Sequence, residues 1–492
     1  MLFSMIISLY TSRVILNTLG VEDYGIYNVV GGIVIMFGFL NNAMTASTQR
    51  FLNFEMGKKN YTRLNKVFNQ SIIIHSLIAV VVLLLSETIG LWFLNTQLNI
   101  PSHRMDAVNW IYQFSVFSFI VSILYVPFTA TIIAHEKMNV YALISIIEVL
   151  LKLFIVFVLT WIAFDKLKLY GFLIFLVYII VATIYIIYCK RKFDECKFRL
   201  SWDVQLFKEM VGFANWNLVG VFAGIAYNQG VNILLNIFFG PVVNASRGIA
   251  YQVQGAVNSL VTNFQLAVNP QIVKSFAMKN QEYLYSLVCR SSKFSFFLLF
   301  IISLPLLIEA QFVLRLWLKI VPDHAVIFTK LTLIDVLICT LSYSLQTFVQ
   351  ASGNIKKYQI IVSGILLLNL PISYLLLKIG FNPEITFVVS ILCSLSALFA
   401  RLLVIRQIAI FPVKDFVLSI LFRVFLVVCL SLVFPLSVYY VVNPPIKQFV
   451  MVTPASIISV LFFIWLIGLT SSEKEYVKVF INKCSGKIAQ KF

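Results

Sequence analysis

Charge is scarce in this chain: 12% of its 492 residues are Asp, Glu, Lys or Arg, against about a quarter in a typical soluble domain. A soluble globular fold is excluded on that ground, since 60% of the residues are hydrophobic. Acidic residues are the rarer sign, 20 against 38 basic, which leaves a net charge of +18. The seven cysteines include no CxxC pair and no Cys/His ligand spacing, so a zinc module or disulfide framework is not expected. The four histidines (His75, His103, His135 and His324) are equally dispersed, which argues against a metal site or a catalytic triad. Neither a GxxxxGKS/T phosphate loop nor a dinucleotide fingerprint occurs, and no connection is long enough to hold a soluble catalytic domain. The expectation is a protein that is not an enzyme and carries no cofactor. Alternating strands of about 10 residues, the mark of an outer-membrane barrel, are also missing. The opening segment lacks a basic n-region and a small-x-small cleavage pattern, and it reads as a retained helix.

What recurs instead is apolar runs of roughly 20 residues, the length that crosses about 30 Å of hydrocarbon. They predict an all-α polytopic membrane protein of about fourteen transmembrane helices, over 2–20, 26–55, 67–94, 106–134, 140–163, 169–190, 206–238, 241–277, 286–314, 326–352, 358–378, 384–408, 415–441 and 448–470. Of the 38 Lys and Arg, 24 fall in the even-numbered connections and the C-terminal tail, eight on the opposite side and six within helices. By the positive-inside rule both termini are cytoplasmic, in a bacterial inner membrane. The basic excess is thereby a matter of topology, and no nucleic-acid partner is implied.

The sequence repeats weakly. A displacement of 220 positions lays Gly20 on Gly240, Asn42 on Thr262, Thr45 on Gln265, Gln49 on Asn269 and Lys59-Asn60 on Lys279-Asn280. A displacement of 217 lays Ala134 on Ala351 and Tyr141 on Tyr358. Segments one to six thus recur as seven to twelve, and because six is even the two bundles are like-oriented. The expected organisation is a six-helix bundle over 1–190, a cytoplasmic linker over 191–205, a second six-helix bundle over 206–410, two extra helices over 411–470 and a basic cytoplasmic tail over 471–492.

Polar residues in the second bundle form a pattern. Arg247, Tyr251, Gln254, Asn258, Thr262, Gln265 and Asn269 follow one another in steps of four and three, so they share one helix face. Such a face cannot lie against lipid without a cost of several kcal/mol per unsatisfied group; it faces either neighbouring helices or a hydrated, substrate-binding cavity. Asn42, Thr45 and Gln49 echo it on the second segment, and Asn228, Asn232 and Asn236 repeat every fourth residue on the seventh. Arg13 and Arg247 lie seven residues before Gly20 and seven after Gly240, one guanidinium at similar depth in each half. An arginine stays charged when buried and pairs with phosphate oxygens through two parallel hydrogen bonds; capping of backbone carbonyls is the competing role. Glu148 and Lys152 stand at i, i+4, as an intrahelical pair or a pair for ion coupling. Asp335 falls near an outer helix end, and Arg401 and Arg423 near inner ends, where snorkelling accounts for them. Trp92, Trp110, Trp202 and Trp317 read as interfacial belts, and Pro127, Pro305, Pro371 and Pro435 as kinks.

The run Leu9-Tyr10-Thr11-Ser12-Arg13-Val14-Ile15-Leu16, followed by Leu19-Gly20-Val21-Glu22-Asp23-Tyr24-Gly25-Ile26-Tyr27 and by Ser47-Thr48-Gln49-Arg50-Phe51, resembles bacterial polysaccharide and lipopolysaccharide (O-antigen type) biosynthesis flippases. These belong to the superfamily that also holds MATE-type multidrug extruders and the lipid II flippase. The resemblance implies two six-helix bundles with alternating access, an undecaprenyl-diphosphate-linked oligosaccharide as cargo, and cavity arginines at Arg13 and Arg247. It also implies a lipid-tail groove on the two extra helices and partners among membrane lipids and other polysaccharide assembly proteins. The chain departs from the family pattern by starting inside its first helix. A MATE-like ion-coupled antiporter of drugs or small molecules is the alternative. Cation antiport needs a buried carboxylate, and none stands midway along the first, second, seventh or eighth segment. A scaffold for an assembly complex is a third reading, one that would not need a polar stripe.

Overall fold

The computed structural model describes residues 14–15, 18–19, 23, 27, 30, 38–96, 102–161, 164–197, 202–318, 321–408 and 411–475. Among the described residues the protein is all-helical, a polytopic membrane architecture in which eleven helices are long and apolar enough to cross a bilayer. The chain divides into two compact units, Met1–Phe222 with Val273–Lys279, and Ala223–Ile272 with Asn280–Phe492.

In the first unit α1 (Gly38–Gly57), α2 (Tyr61–Leu85), α3 (Leu91–Thr96), α4 (Met105–Leu124), α5 (Val126–Ala134), α6 (Met138–Trp161) and α7 (Lys166–Lys192) lead into α8 (Val204–Phe239). The second unit takes the rest of α8 and most of α9 (Pro241–Ala277), then α10 (Gln281–Ile308), α11 (Ala310–Leu318) and α12 (Ala325–Ser352). It continues with α13 (Lys356–Leu367), α14 (Asn369–Ile379), α15 (Ile385–Ile408), α16 (Val413–Phe416), α17 (Phe422–Val441) and α18 (Pro445–Phe463). The expected first segment is represented by only four described residues. The eighth is present as α9, but its polar stripe keeps it out of the eleven apolar spans.

Several expected single helices are broken. Pro127 lacks an N–H and its ring would crowd the carbonyl four residues back, so the chain stops at Leu124 and restarts at Val126. Pro305 sits in the last turn of α10, and Pro435 and Pro270 remain inside α17 and α9.

Lipid offers no hydrophobic drive for helix association, so packing and internal hydrogen bonds hold the bundles. Buried hydroxyls bond their own helix one turn back, as Ser71 does to Val67 O (2.7 Å) and Thr329 to Ala325 O (2.7 Å). In the second unit Val231, Leu235, Val243, Ala250, Phe328 and Phe387 form one cluster that joins α8, α9, α12 and α15. The Phe328 and Phe387 rings stack at 4.4 Å.

A few backbone features recur at the displacements noted in the sequence. Lys59 (φ 55°) and Lys279 (φ 57°) close α1 and α9 in the left-handed region. The following Asn60 and Asn280 cap the next helix by accepting from Arg63 N and Tyr283 N. Both pairs are 220 positions apart. At a displacement of 217, Glu136 (φ 57°) matches Gly353 (φ 77°), each ending a helix. At the other helix ends Arg104 pairs with Asp165 (2.8 Å), and His324, 220 positions on, pairs with Glu384 (2.5 Å).

Within the first unit the end of α1 meets the last turn of α9. A Cβ on Gly57 would stand 2.7 Å from Lys274 O and 2.8 Å from Ala277 Cβ. Nearby, Lys274 pairs with Glu136 at 2.7 Å.

Candidate functional site

The polar stripe on α9 supplies most of the candidate residues. Gly240, with φ 78°, turns the chain out of α8, and Pro241 opens α9 at a position where no N–H is needed. That turn lays the start of α9 back along the end of α8, so Arg247 reaches Asn228 and Asn232. Its Nη2 donates to Asn228 O at 2.9 Å, and its Nη1 lies 3.5 Å from Asn232 Oδ1. The guanidinium carbon stands 4.1 Å from the Tyr251 ring centroid, a cation–π contact. Arg247 is 8% exposed. No carboxylate among the described residues pairs with it, and its Nε has no partner. The arginine does cap a carbonyl, one of its two expected roles, and still holds an uncompensated charge and a spare donor. Asn232 is further engaged by Asn244, whose Nδ2 donates to Asn232 O at 3.0 Å, and Asn228 donates to Gly224 O at 3.1 Å.

Further along the stripe, contacts turn inward. Tyr343 OH donates to Asn258 Oδ1 (3.2 Å), Gln265 Nε2 to Ser295 Oγ (2.7 Å) and Ser344 Oγ (3.0 Å), and Thr347 Oγ1 to Asn269 Oδ1 (2.9 Å). Asn258, Gln265 and Asn269 are therefore tied to α10 and α12 of their own unit. Thr262 is exposed and bonds Ser259 O on its own helix, and Gln254 is half-buried. The stripe thus splits into a packed portion and a part around Arg247 and Tyr251 with free capacity.

In the first unit Asn42 is exposed, Thr45 donates to Asn41 O at 2.8 Å, and Gln49 is half-buried. Arg13 lies outside the described residues, as does the side chain of Asn236. Glu148 and Lys152 form the expected intrahelical pair at 2.6 Å. Lys152 also lines a cavity of 190 Å³ with Ser115, Ser118, Ser122, Tyr27 and Tyr178.

Some polar groups were not foreseen. Asp335 does not sit at an outer helix end: it lies ten residues into α12, about 15 Å along at 1.5 Å per residue. Its Oδ1 accepts from Ser394 Oγ at 2.6 Å, and no cation pairs with it among the described residues. Arg401 does not snorkel; its Nε donates to Tyr358 OH (3.0 Å) and its Nη1 to Ser342 Oγ (3.1 Å) inside the second unit. At the lysine-rich end of the first unit Arg63 bridges Glu55 (3.3 Å) and Glu209 (3.0 Å). Arg50 there stacks over Phe51, Phe54 and Phe213 at 4.6 to 5.5 Å. The place of Asp335, nine residues into the segment expected over 326–352, already carried this depth in the sequence.

No protein-family model matches the chain, and no curated protein matches it either. Solved structures do. An outward-facing multidrug resistance MATE family transporter of the MOP superfamily aligns at TM-score 0.70 and 11% identity, covering 84% of this chain and 92% of that one. A MATE crystal structure in the bent conformation aligns at TM-score 0.69 and 13% identity, covering 84% and 92%. A MOP superfamily transporter from Pyrococcus furiosus, described as having a binding pocket of reverse polarity, aligns at TM-score 0.67 and 11% identity, covering 84% and 92%. At these identities the likeness is one of fold.

Proposed function

We propose that this chain is an inner-membrane flippase that carries an undecaprenyl-diphosphate-linked oligosaccharide from the cytoplasmic to the periplasmic face by alternating access, with both termini cytoplasmic. The observation that carries the reading is Arg247: a buried cation on the polar stripe of α9 with no counter-carboxylate among the described residues and an unpaired Nε. A buried charge in that state attracts an anion strongly, and a planar guanidinium suits a diphosphate. Tyr251, Gln254, Asn228 and Asn232 are further proposed cargo contacts in the second unit, and Arg13, Asn42, Thr45 and Gln49 in the first. The fold shared with MATE and MOP transporters supports transport as the activity.

The test is complementation of a flippase-deficient strain, read as surface polysaccharide and normalised to protein level. Arg247→Ala removes a charge-assisted contact worth about 1.5–3 kcal/mol, a roughly ten- to hundredfold loss of cargo affinity. Arg247→Lys keeps the charge without the fork and should fall between the two. If Arg247→Ala is made at normal level and restores polysaccharide fully, the diphosphate role is wrong.

Asp335 favours a second reading, a MATE-like ion-coupled antiporter, because an unpaired carboxylate inside α12 can bind a cation or proton. Deletion separates the two. A flippase mutant accumulates lipid-linked saccharide on the inner leaflet, whereas an antiporter mutant becomes sensitive to exported compounds.

A further inference from the structure

The two units differ at one corner in a way transport does not require. In the first unit the loop ahead of α4 is electrically closed. Arg104 sits between Asp23 (2.5 Å) and Asp165 (2.8 Å), Lys168 pairs with Asp106, and Lys166 donates to Thr18 O at 3.2 Å. The matching corner of the second unit, ahead of α12, holds a cavity of 540 Å³ lined by Gln311, Arg315, Asp323, His324 and Lys330 among others. His324 is engaged by Glu384. Arg315 and Lys330 make no ion pair within 4.0 Å and no hydrogen bond among the described residues, although Lys330 lies in the field of the buried Glu309 carboxylate. Asp323, itself exposed, is the carboxylate that lines the cavity. Two cations without a hydrogen-bonded counterion thus line one recess, with Asp323 as the acid in its wall.

The walls identify the kind of ligand. α11 is amphipathic: Ala310 and Leu314 are buried against the bundle, while Leu316 (70%) and Trp317 (51%) are exposed beside Arg315. Ile327, also lining the cavity, is 43% exposed. A short helix that turns Leu and Trp outward next to a basic side chain matches the headgroup layer, where tryptophan prefers to lie and cations meet lipid phosphates. A soluble anion would need the cations but not the exposed apolar rim.

We propose that the recess between α11 and the start of α12 binds the phosphate of an anionic lipid headgroup through Arg315 and Lys330, with Leu316 and Trp317 seated against its acyl chains. This site is separate from Arg247 and does not depend on the cargo reading, because its test measures lipid binding and not transport.

The experiment is native mass spectrometry of the purified full chain titrated with dioleoylphosphatidylglycerol or dioleoylphosphatidylcholine. Wild type should retain the anionic lipid with roughly tenfold lower Kd, the worth of a charge-assisted contact. Arg315→Gln with Lys330→Gln should bring the ratio close to one. The charge-preserving exchange Arg315→Lys with Lys330→Arg should keep the preference, which separates lost charge from lost folding. Equal preference in wild type and the double glutamine variant overturns the proposal. Displacement of the lipid by millimolar inorganic phosphate overturns the lipid assignment, because it would make the recess a site for free anions.

Discussion

Gly57 offers a perturbation whose size can be worked out from distances. Alanine there places a methyl group 2.7 Å from Lys274 O, 2.8 Å from Lys274 Cα and 2.8 Å from Ala277 Cβ. Ordinary contact begins at 3.4 Å, so the ends of α1 and α9 must part by about 0.7 Å. Two of the three obstacles are backbone atoms, which cannot rotate away. Overpacking of this kind costs about 1–3 kcal/mol. Parting the helices also strains the half-exposed Lys274–Glu136 pair, worth at most about 1 kcal/mol. The assay is equilibrium unfolding in mixed micelles, with Gly57→Ala, Ala277→Gly and the double variant forming a cycle. Gly57→Ala should destabilise by at least about 1 kcal/mol. Ala277→Gly should rescue only part of that, since it removes the Cβ–Cβ contact and leaves both contacts with Lys274. Wild-type stability in Gly57→Ala, or complete rescue by Ala277→Gly, would refute the reasoning.

Two further outcomes are expected. Lys293 and Glu473 form a buried pair at 2.5 Å, 3% and 4% exposed; Lys293→Met leaves the carboxylate with only Arg290 at 3.9 Å and the Thr470 N–H, at a cost of up to about 3 kcal/mol, and adding Glu473→Leu should recover most of it. Unfolding midpoints of the three proteins check this, and an undisturbed single variant would contradict it. Burial alone would raise the Asp165 carboxyl, but the Arg104 hydrogen bond and the Lys168 and Leu167 N–H groups outweigh it and hold the carboxyl below its ordinary range. A depressed carboxylate stabilises the fold above its unfolded value of about 3.9 and loses that contribution as pH falls through the lower folded value. Wild-type midpoints should therefore hold to about pH 4 and fall below it, whereas Arg104→Gln, which has lost the depression, should start lower near neutral pH and fall less steeply in acid; parallel acid limbs would count against the pairing.

Sequence made the membrane class and the helical segments legible, because a run of about 20 apolar residues states its own length requirement. Breaks within segments were less legible. Pro127 foretold the interruption between α4 and α5 through its missing donor, but nothing in the residues marks the π turns at Ser86–Gly90 or Val417–Leu421. The α9 stripe was legible as a face but not in its destination. Heptad-like spacing puts Asn258, Gln265 and Asn269 on one side, and only the position of Tyr343, Ser344 and Thr347 on α12 shows that this side is packed. Arg401 illustrates the same limit: its distance from the helix end suggested snorkelling, while Tyr358 and Ser342, both distant in sequence, hold it inside.

The internal repeat carries a distinction between what a duplicated bundle must keep and what it can change. Lys59 and Lys279 both adopt positive φ, at a cost of roughly 1–2 kcal/mol for a residue with a Cβ. That strain is tolerated in both copies because the Asn cap that follows and the helix-ending bonds, Lys58 N to Phe54 O and Met278 N to Lys274 O, over-determine the turn. The same backbone device therefore recurs almost unaltered at the ends of α1 and α9. The charges at the opposite helix ends are less alike. There the Arg104–Asp165 corner and the His324–Glu384 corner keep one bridge between the same two loops. The basic residues around them are hydrogen-bonded in one unit, while in the other Arg315 and Lys330 line an open recess without a hydrogen-bonded counterion, and it is that difference that points to a ligand.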